Sequence, residues 1–583
     1  MVTRMVEMVG GEMKMDSKVA GLTAVKRHKG SDLTARGEPM VWAMGGSLAF
    51  GLLMITGFLG LIFWNGFTAF WPKPIDVVTT VDGRVIAGEP MRTESYKPSA
   101  ADVAALPADM RATIEAHGGM SERTLYRIGN FDFYSNDFEW LPVYSVKSVT
   151  EPKDLMLVER SEWGVFIGKI LSITVDGKTV SNPSLAEVDA ADKQARDLRV
   201  ERKAIERDKV GAVNRAINAE RLKVRKAVLA YGEGSPEAKA AADAAAVETA
   251  SLTKEFDRLS AEALAVRNKE DAIRVKVAEI GGQDKDFPLA NFVRYYAAND
   301  VSFFQKIGIY LSRWWEFLTD EPREANTEGG VWPAIFGTLV MTIVMSVLVA
   351  PFGVIAALYL REYAKQGTLV SLVRICVNNL AGVPSIVYGV FGLGFFAYVL
   401  GGSIDRAFFP EYLPNPTFGT GGLLWASLTL ALLTVPVVIV STEEALAAVP
   451  RSMREGSLAC GASKWQTIKW IVLPRAMPGI MTGLILAMAR GAGEVAPLMI
   501  VGVVKLAPEL PLDGVFPFIH LERSFMHLGF HIYDVGFQSR NSEAGRSMVF
   551  VTALVLMALV LVLNTFSINV RNRLKRKFAG DKF

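Results

Sequence analysis

The chain has 583 residues, 50% of them apolar and 21% charged, with 63 Lys and Arg set against 60 Asp and Glu. A formal charge of +3 excludes a nucleic-acid binder built on a basic surface, and this apolar content excludes a disordered chain. The charges gather between about residues 73 and 330 and in short tails, while the remainder runs in long uncharged stretches, which excludes a single soluble globule.

In chain order, residues 1–40 read as a polar tail carrying Lys26, Arg27, Lys29 and Arg36. A bilayer-crossing helix needs about 20 predominantly apolar residues. Six runs qualify: 42–63, 332–360, 372–400, 423–440, 477–504 and 548–568. The first lies far behind the N-terminus and lacks a small-residue cleavage site, so 41–66 reads as a span rather than a cleaved signal peptide.

Between the first two runs lies an insert, 67–329. Its first part, 75–180, shows short β-like stretches at 77–81, 164–167 and 171–175, with turn signals Asp82-Gly83 and Asp176-Gly177. Gly177-Lys178-Thr179 resembles the end of a phosphate-binding loop, but the first glycine of that pattern would fall on Ser172, so the stretch reads as a β-turn. From 185 to 280 the composition shifts to Ala, Glu, Lys, Arg and Asp, strong helix formers. The interruption at 232–236 divides it into two arms of about 45 residues, an antiparallel helical hairpin up to about 68 Å long. Its charges read as a solvated face.

The segment 330–570 holds the other five runs. Lys and Arg in short loops orient such proteins. Arg361 and Lys365 follow the second run, five Lys and Arg from Arg451 to Arg475 separate the fourth and fifth, and Arg571, Arg573, Lys575, Arg576 and Lys577 lie in a basic tail, 571–583. The alternate loops are poorer, with Arg406 in one and Lys505, Arg523, Arg540 and Arg546 in the other. These counts fit six spans with both termini cytoplasmic and the insert outside. Arg374 sits at the edge of the third run, where it can snorkel. The same run carries Asn378, Asn379, Gly382, Pro384 and Ser385. Polar and helix-breaking residues at membrane depth are tolerated facing protein or a wet cavity, so Asn378, Asn379 and Ser385 are candidates for a channel lining, with helix-packing glue the equal alternative.

The loop 443–476 reads as helix, turn, helix. Gly461 permits a positive φ at the bend, Ser463 with Gln466 forms a capping box, and Pro474 is expected to end or kink the second helix. Leu458, Trp465 and Ile468 are expected to anchor the pair, ringed by Arg454, Glu455 and Lys464. Glu455, then Gly461 six residues on, then nine residues and Ile471-Val472-Leu473-Pro474, resembles the signature of ATP-binding-cassette importer permeases. That family usually has Glu-Ala-Ala at its start; here Gly456 and Ser457 replace the alanines. The longer context, 442–446 and 489–498, is similar to phosphate-specific permeases of the PstA type.

The resemblance, over about 330–570, implies an all-α polytopic membrane protein with the type I importer permease fold, six transmembrane helices, to which the α+β extracytoplasmic insert is an addition of unassigned role. It implies a loop that docks, through Glu455, Leu458, Gly461, Trp465, Ile468 and Pro474, into a cytoplasmic ATPase subunit. It also implies a paralogous permease partner, a periplasmic phosphate-binding protein, and phosphate as substrate in a bacterial inner membrane. The chain carries no ATPase motif and no cofactor is expected on it; ATP and Mg belong to the partner.

Arg490 lies near the centre of the fifth run with Glu494 four residues on, both expected on one helix face. A mid-bilayer charge costs at least about 2.5–3.5 kcal/mol on insertion scales. One reading is a mutually neutralising pair packed against a neighbouring helix. In the other the pair lines an anion route: a guanidinium suits phosphate oxygens, and Glu494 keeps that binding reversible. The resemblance favours the route. Pro497 is expected to loosen the helix beside the pair. His520, His527 and His531, spaced seven and four apart, read as one side of an amphipathic surface helix. The two cysteines, Cys376 and Cys460, cannot build a disulfide framework and carry no redox role. Two rival functions share these features: a permease for another oxyanion such as sulfate or molybdate, and a membrane sensor or scaffold whose hairpin binds a partner.

Overall fold

A computed structural model of the chain describes residues 39–539 and 542–579. The tail residues Lys26, Arg27, Lys29 and Arg36, and Arg540, lie outside the described residues. The chain divides into two compact units, 1–62 and 63–583, the division falling within the first helix, α1 (Pro39–Thr68).

In the second unit, strands β1 (Asp76–Thr80), β2 (Val85–Tyr96), β3 (Ser121–Arg127), β4 (Phe138–Pro142) and β5 (Val146–Thr150) form an antiparallel sheet in the order β4-β3-β2-β1-β5. A second antiparallel sheet contains β6 (Met156–Arg160), β7 (Val165–Val175), β8 (Lys178–Ser181), β9 (Arg274–Ala278), β10 (Asp284–Pro288) and β11 (Phe292–Ala297). The stretches expected at 164–167 and 171–175 are one strand, β7, which pairs with β6 along its first half and with β8 and β9 along its second. Asp176-Gly177 forms the expected tight turn, with φ of 49° and 76°, as a hairpin of this twist requires.

The helical hairpin leaves this sheet after β8 and returns to it at β9. Its first arm, α2 (185–231), opens on a Ser184–Glu187 capping box and carries a π-helical turn at Ala204–Val210. Gly232 stops it, and Ser235 caps α3 (Pro236–Asp271) with Pro236 in the first turn. The return arm ends at Asp271, not near 280: residues 274–278 alternate between the buried Val275 and Val277 and their more open neighbours, the period of a strand, which the charged composition of the region masked. The all-α class therefore applies to the spans, and strands extend beyond the second sheet to a short pair, Pro322–Arg323 with Glu328–Gly329. Helix α4 (Phe303–Thr319) leads from the second sheet toward the remaining spans.

Six helices among the described residues are long and apolar enough to cross a membrane. After α1 come α5 (Trp332–Tyr363), then the short α6 (Thr368–Leu380), α7 (Ser385–Phe408), α8 (Leu423–Ala447), α9 (Arg451–Ala459) outside the set, and α10 (Lys464–Gly493). Beyond α10 lie the short α11 (Ala496–Val501) and α12 (Leu528–Tyr533) and the last span, α13 (Ser542–Ala579). Two expected spans are shorter or shifted. The run 372–400 breaks at 381–384, because Pro384 drives the preceding residue out of the helical region, and the span is α7. The run 477–504 breaks after Gly493, where Glu494 is extended with ψ 134° and Pro497 sits in the first turn of α11. The basic residues from Arg571 to Arg576 continue the last helix rather than forming a separate tail.

α8 is the hub: Leu423, Trp425, Ala426, Leu430, Leu433 and Val438 join Met341 and Met345 of α5 and Ala487 of α10 in one core. Close approach of α10 to α8 needs glycine. A Cβ on Gly479 would stand 2.5 Å from the Ala445 Cβ, and one on Gly483, a turn later, would overlap the Ser441 side chain. Gly483→Val is therefore expected to destabilise the chain by about 1–3 kcal/mol through overpacking, read as a lowered midpoint in thermal unfolding of the detergent-purified protein.

The three histidines do not share a surface helix. His520 lies in a loop between Glu522 and Asp513, at 3.2 and 3.1 Å, His527 caps α12, and His531 lies within it. All three are buried. The segment is too short and too enclosed to be amphipathic, since α12 packs Leu528 against α5 and α13 neighbours. Burial pushes the imidazoles of His527 and His531 down to about 4. Because the unfolded imidazole titrates near 6.5, stability is full above that pH and falls as pH drops from 6.5 toward 4, by about 2 kcal/mol per histidine at pH 5. Thermal midpoints at pH 7.5 and 5 are expected to diverge in the native chain and to converge partly in His531→Phe.

Candidate functional site

Two clusters gather the candidate residues. The first is the end of α10. Arg490 lies in its last turn, where the negative end of the helix dipole favours a cation by about 0.3–1 kcal/mol. The helix stops at Gly493, so Glu494 is not on its face but folds back from the extended link, its Oε1 3.5 Å from Arg490 Nε. The pair is joined as expected, through the bend and not through helical spacing. Pro497 belongs to the next helix and loosens nothing in α10. At 38% and 22% side-chain exposure neither charge is sealed in the core, and an ion pair this open contributes about 0–1 kcal/mol. The Nη1 and Nη2 donors of Arg490 have no hydrogen-bond partner among the described residues, which leaves the planar end of the guanidinium free for an oxyanion.

The break that frees this arginine is held by small-residue packing. A Cβ on Gly491 would meet the Met345 sulfur at 2.5 Å, and one on Gly389 of α7 would meet Pro497 Cα at 2.7 Å. Tyr388, beside Gly389, lies within electrostatic reach of Arg490 and donates from its hydroxyl to the Leu380 carbonyl at 2.7 Å. It ties the end of α6 to α7 and was not anticipated; its signal is a tyrosine four residues after Pro384 inside an apolar run. Asn378 and Asn379 are exposed at the end of α6 and Ser385 is half-buried at the start of α7. Among the described residues, no side-chain hydrogen bond joins these three to the Arg490–Glu494 pair. Arg374, expected to snorkel, is instead paired with Glu443 at 3.2 Å and Gln366 at 3.1 Å, linking α6 to the end of α8.

The second cluster is the bent element between α8 and α10. Gly461 has φ of 82°, a conformation that Cβ-bearing residues avoid, and the Ser463–Gln466 capping box is formed. The second helix does not end at Pro474. It continues as α10 through a π-helical turn at Ile468–Val472, and Pro474 follows in the first turn of the α-helical stretch from Leu473, where a proline is tolerated. Ser457 and Thr467 hydroxyls meet at 2.9 Å across the bend. Arg454 is structural rather than part of a charged rim: it donates to the Val449 and Leu446 carbonyls at 2.6 and 2.7 Å and to Glu362 of α5 at 3.1 Å. Of the three expected anchors only Ile468 is inside, 2% exposed; Leu458 and Trp465 point outward at 49% and 57%. The reason is that Val449, Val472 and Ala476 already fill the space beneath the bend. Glu455 is exposed beside them. The result is a rigid bend whose outer surface presents Glu455, Leu458 and Trp465.

Residues 349–576 match the family described as the binding-protein-dependent transport system inner membrane component. The chain is 34% identical over 203 residues to the probable ABC transporter permease protein YqgH of Bacillus subtilis, covering 34% of this chain and 62% of that one. It therefore spans less than two thirds of that relative's length. It is 35% identical over 269 residues to the phosphate transport system permease protein PstA of Mycobacterium leprae, covering 46% of this chain and 79% of that one. Among solved structures it is similar to the inward-facing MetNI methionine ABC transporter at 19% identity, covering 41% of this chain and 94% of that chain with a TM-score of 0.30. With residues 349–576 matching that family and 79% of a PstA permease matched at 35% identity, the chain belongs to the binding-protein-dependent transport system inner membrane component family, as a permease of the PstA type.

Proposed function

We propose that the chain is one of two paralogous membrane subunits of an ATP-driven importer that moves inorganic phosphate across a bacterial inner membrane. The observation that carries the substrate is the 35% identity across most of a phosphate permease. In this reading a periplasmic binding protein delivers phosphate to the mouth of the spans. The Arg490 fork holds it in passing, and Glu494, 3.5 Å away, competes for the same guanidinium so that release stays fast. ATP and Mg act on partner subunits, and the bend from Arg451 to Trp465 receives their movement through Glu455, Leu458 and Trp465. The continuous helix from Lys464 to Gly493 then carries that movement from the bend to Arg490. Both termini and the bend lie on the cytoplasmic side and the insert, 67–329, on the periplasmic side.

The test is uptake of radiolabelled phosphate into vesicles holding the assembled importer, its ATPase subunits and binding protein. ATP-dependent phosphate accumulation that excess sulfate and molybdate leave unchanged is the expected result. Equal uptake of either competitor assigns a different oxyanion, and purification free of any ATPase subunit would point to a sensor or scaffold.

A further inference from the structure

Helix α4 is inside out for a helix facing water. Its charged residues Arg313 and Glu316 turn toward the protein, with side chains 14% and 12% exposed. Arg313 donates to Glu159 of β6 at 2.8 Å and to the Phe70 carbonyl at 3.0 Å, and Glu316 accepts from Arg294 of β11 at 2.8 Å. The opposite stripe, Phe304, Gly308, Leu311, Trp315 and Leu318, follows helical spacing and is open, with Phe304, Leu311 and Trp315 exposed to 83%, 59% and 72%. A surface helix in water shows the reverse arrangement, with its apolar stripe on the core.

Its position says what covers the stripe. The inner face of α4 sits on the end of the first span: Tyr310 donates to the Phe67 carbonyl at 2.9 Å, and the Trp314 ring lies 5.8 Å from Phe67 and 5.2 Å from Phe70. Trp71 packs on Tyr310 at 5.7 Å. The next helix along the chain, α5, is itself a span and begins at Trp332. Tryptophan and tyrosine gather at the ends of membrane-crossing helices, at the level of the headgroups. An outward apolar stripe at that level continues the lipid-facing surface of the spans.

We propose that α4 lies flat in the boundary between headgroups and acyl chains, with lipid as the occupant of its apolar stripe. The ion pairs of Arg313 and Glu316 with Glu159 and Arg294 fasten the second sheet to this helix, so α4 is the strut that sets the height of the sheet above the bilayer. The inference rests on the six apolar helices crossing a membrane and is independent of the transported ion.

The experiment places a nitroxide label on Leu311→Cys or Trp315→Cys, in a full-length background carrying Cys376→Ser and Cys460→Ser, reconstituted in phospholipid nanodiscs. Phe304→Cys supplies a third position should either variant fold poorly, and Ala250→Cys on the exposed hairpin is the aqueous reference. The expected result is a ratio of nickel-chelate to oxygen accessibility several-fold lower on α4 than at position 250. A ratio equal to that at position 250 overturns the proposal in favour of a water-facing stripe. Shielding from both reagents overturns it in favour of a covering protein, whether a second copy or another subunit.

Discussion

Arg490→Gln is expected to lower ATP-driven phosphate uptake by about 30- to 150-fold, the equivalent of the roughly 2–3 kcal/mol that a hydrogen bond to a charged group contributes. Assembly is expected to survive, because among the described residues Arg490 holds only one ion pair, at 3.5 Å, and glutamine is a good helix former in the last turn of α10. Arg490→Lys keeps the charge but loses the planar fork, so its rate is expected to fall between native and Gln. The measurement is initial uptake rate in vesicles, with purified yield and thermal midpoint as controls. Native uptake by the glutamine variant would remove Arg490 from the phosphate route and leave the dull reading, a neutralised pair at a helix break.

The second large effect is expected at the outer surface of the bend. Trp465→Ala, alone or with Leu458→Asp, is expected to weaken capture of the ATPase subunit by about 30- to 1,000-fold, the range for truncating an aromatic hot spot. Both side chains face away from the core, so the thermal midpoint of the isolated permease should hold steady. Ile468→Asp is the contrast: it places a carboxylate at a site 2% exposed and is expected to unfold the bend itself. Co-purification yield and ATP turnover stimulated by the permease read out the difference. Full ATPase capture by the Trp465 and Leu458 variants, with their fold intact, would mean the ATPase docks elsewhere.

These two sites were legible to different depths. The bend was visible in detail because its determinants are local. Gly461 supplies a positive φ, and Ser463 and Gln466 satisfy each other's backbone donors within one turn. Which of its apolar side chains face inward was not visible, because alternation on so short an element cannot distinguish a core already filled by Val449 and Val472 from one awaiting Leu458 and Trp465. At Arg490 the pairing with Glu494 was anticipated from helical spacing, yet the contact arises because the helix ends between them. Tyr388 and the Arg374–Glu443 pair were missed since each joins residues from different helices.

By itself the sequence determined that this chain is polytopic, with six apolar helices, a charged hairpin turning at 232–236 and a capped bend after α8, because hydropathy and turn chemistry act within a few residues of the chain. Only the tertiary structure decided where the third and fifth runs break, that the long hairpin is a detour between paired strands of one sheet, and that α4 turns its charges inward. Those outcomes depend on what lies opposite each residue: glycines that let α10 approach α8, a strand partner for Val275 and Val277, and the Glu159 carboxylate of a distant sheet for Arg313.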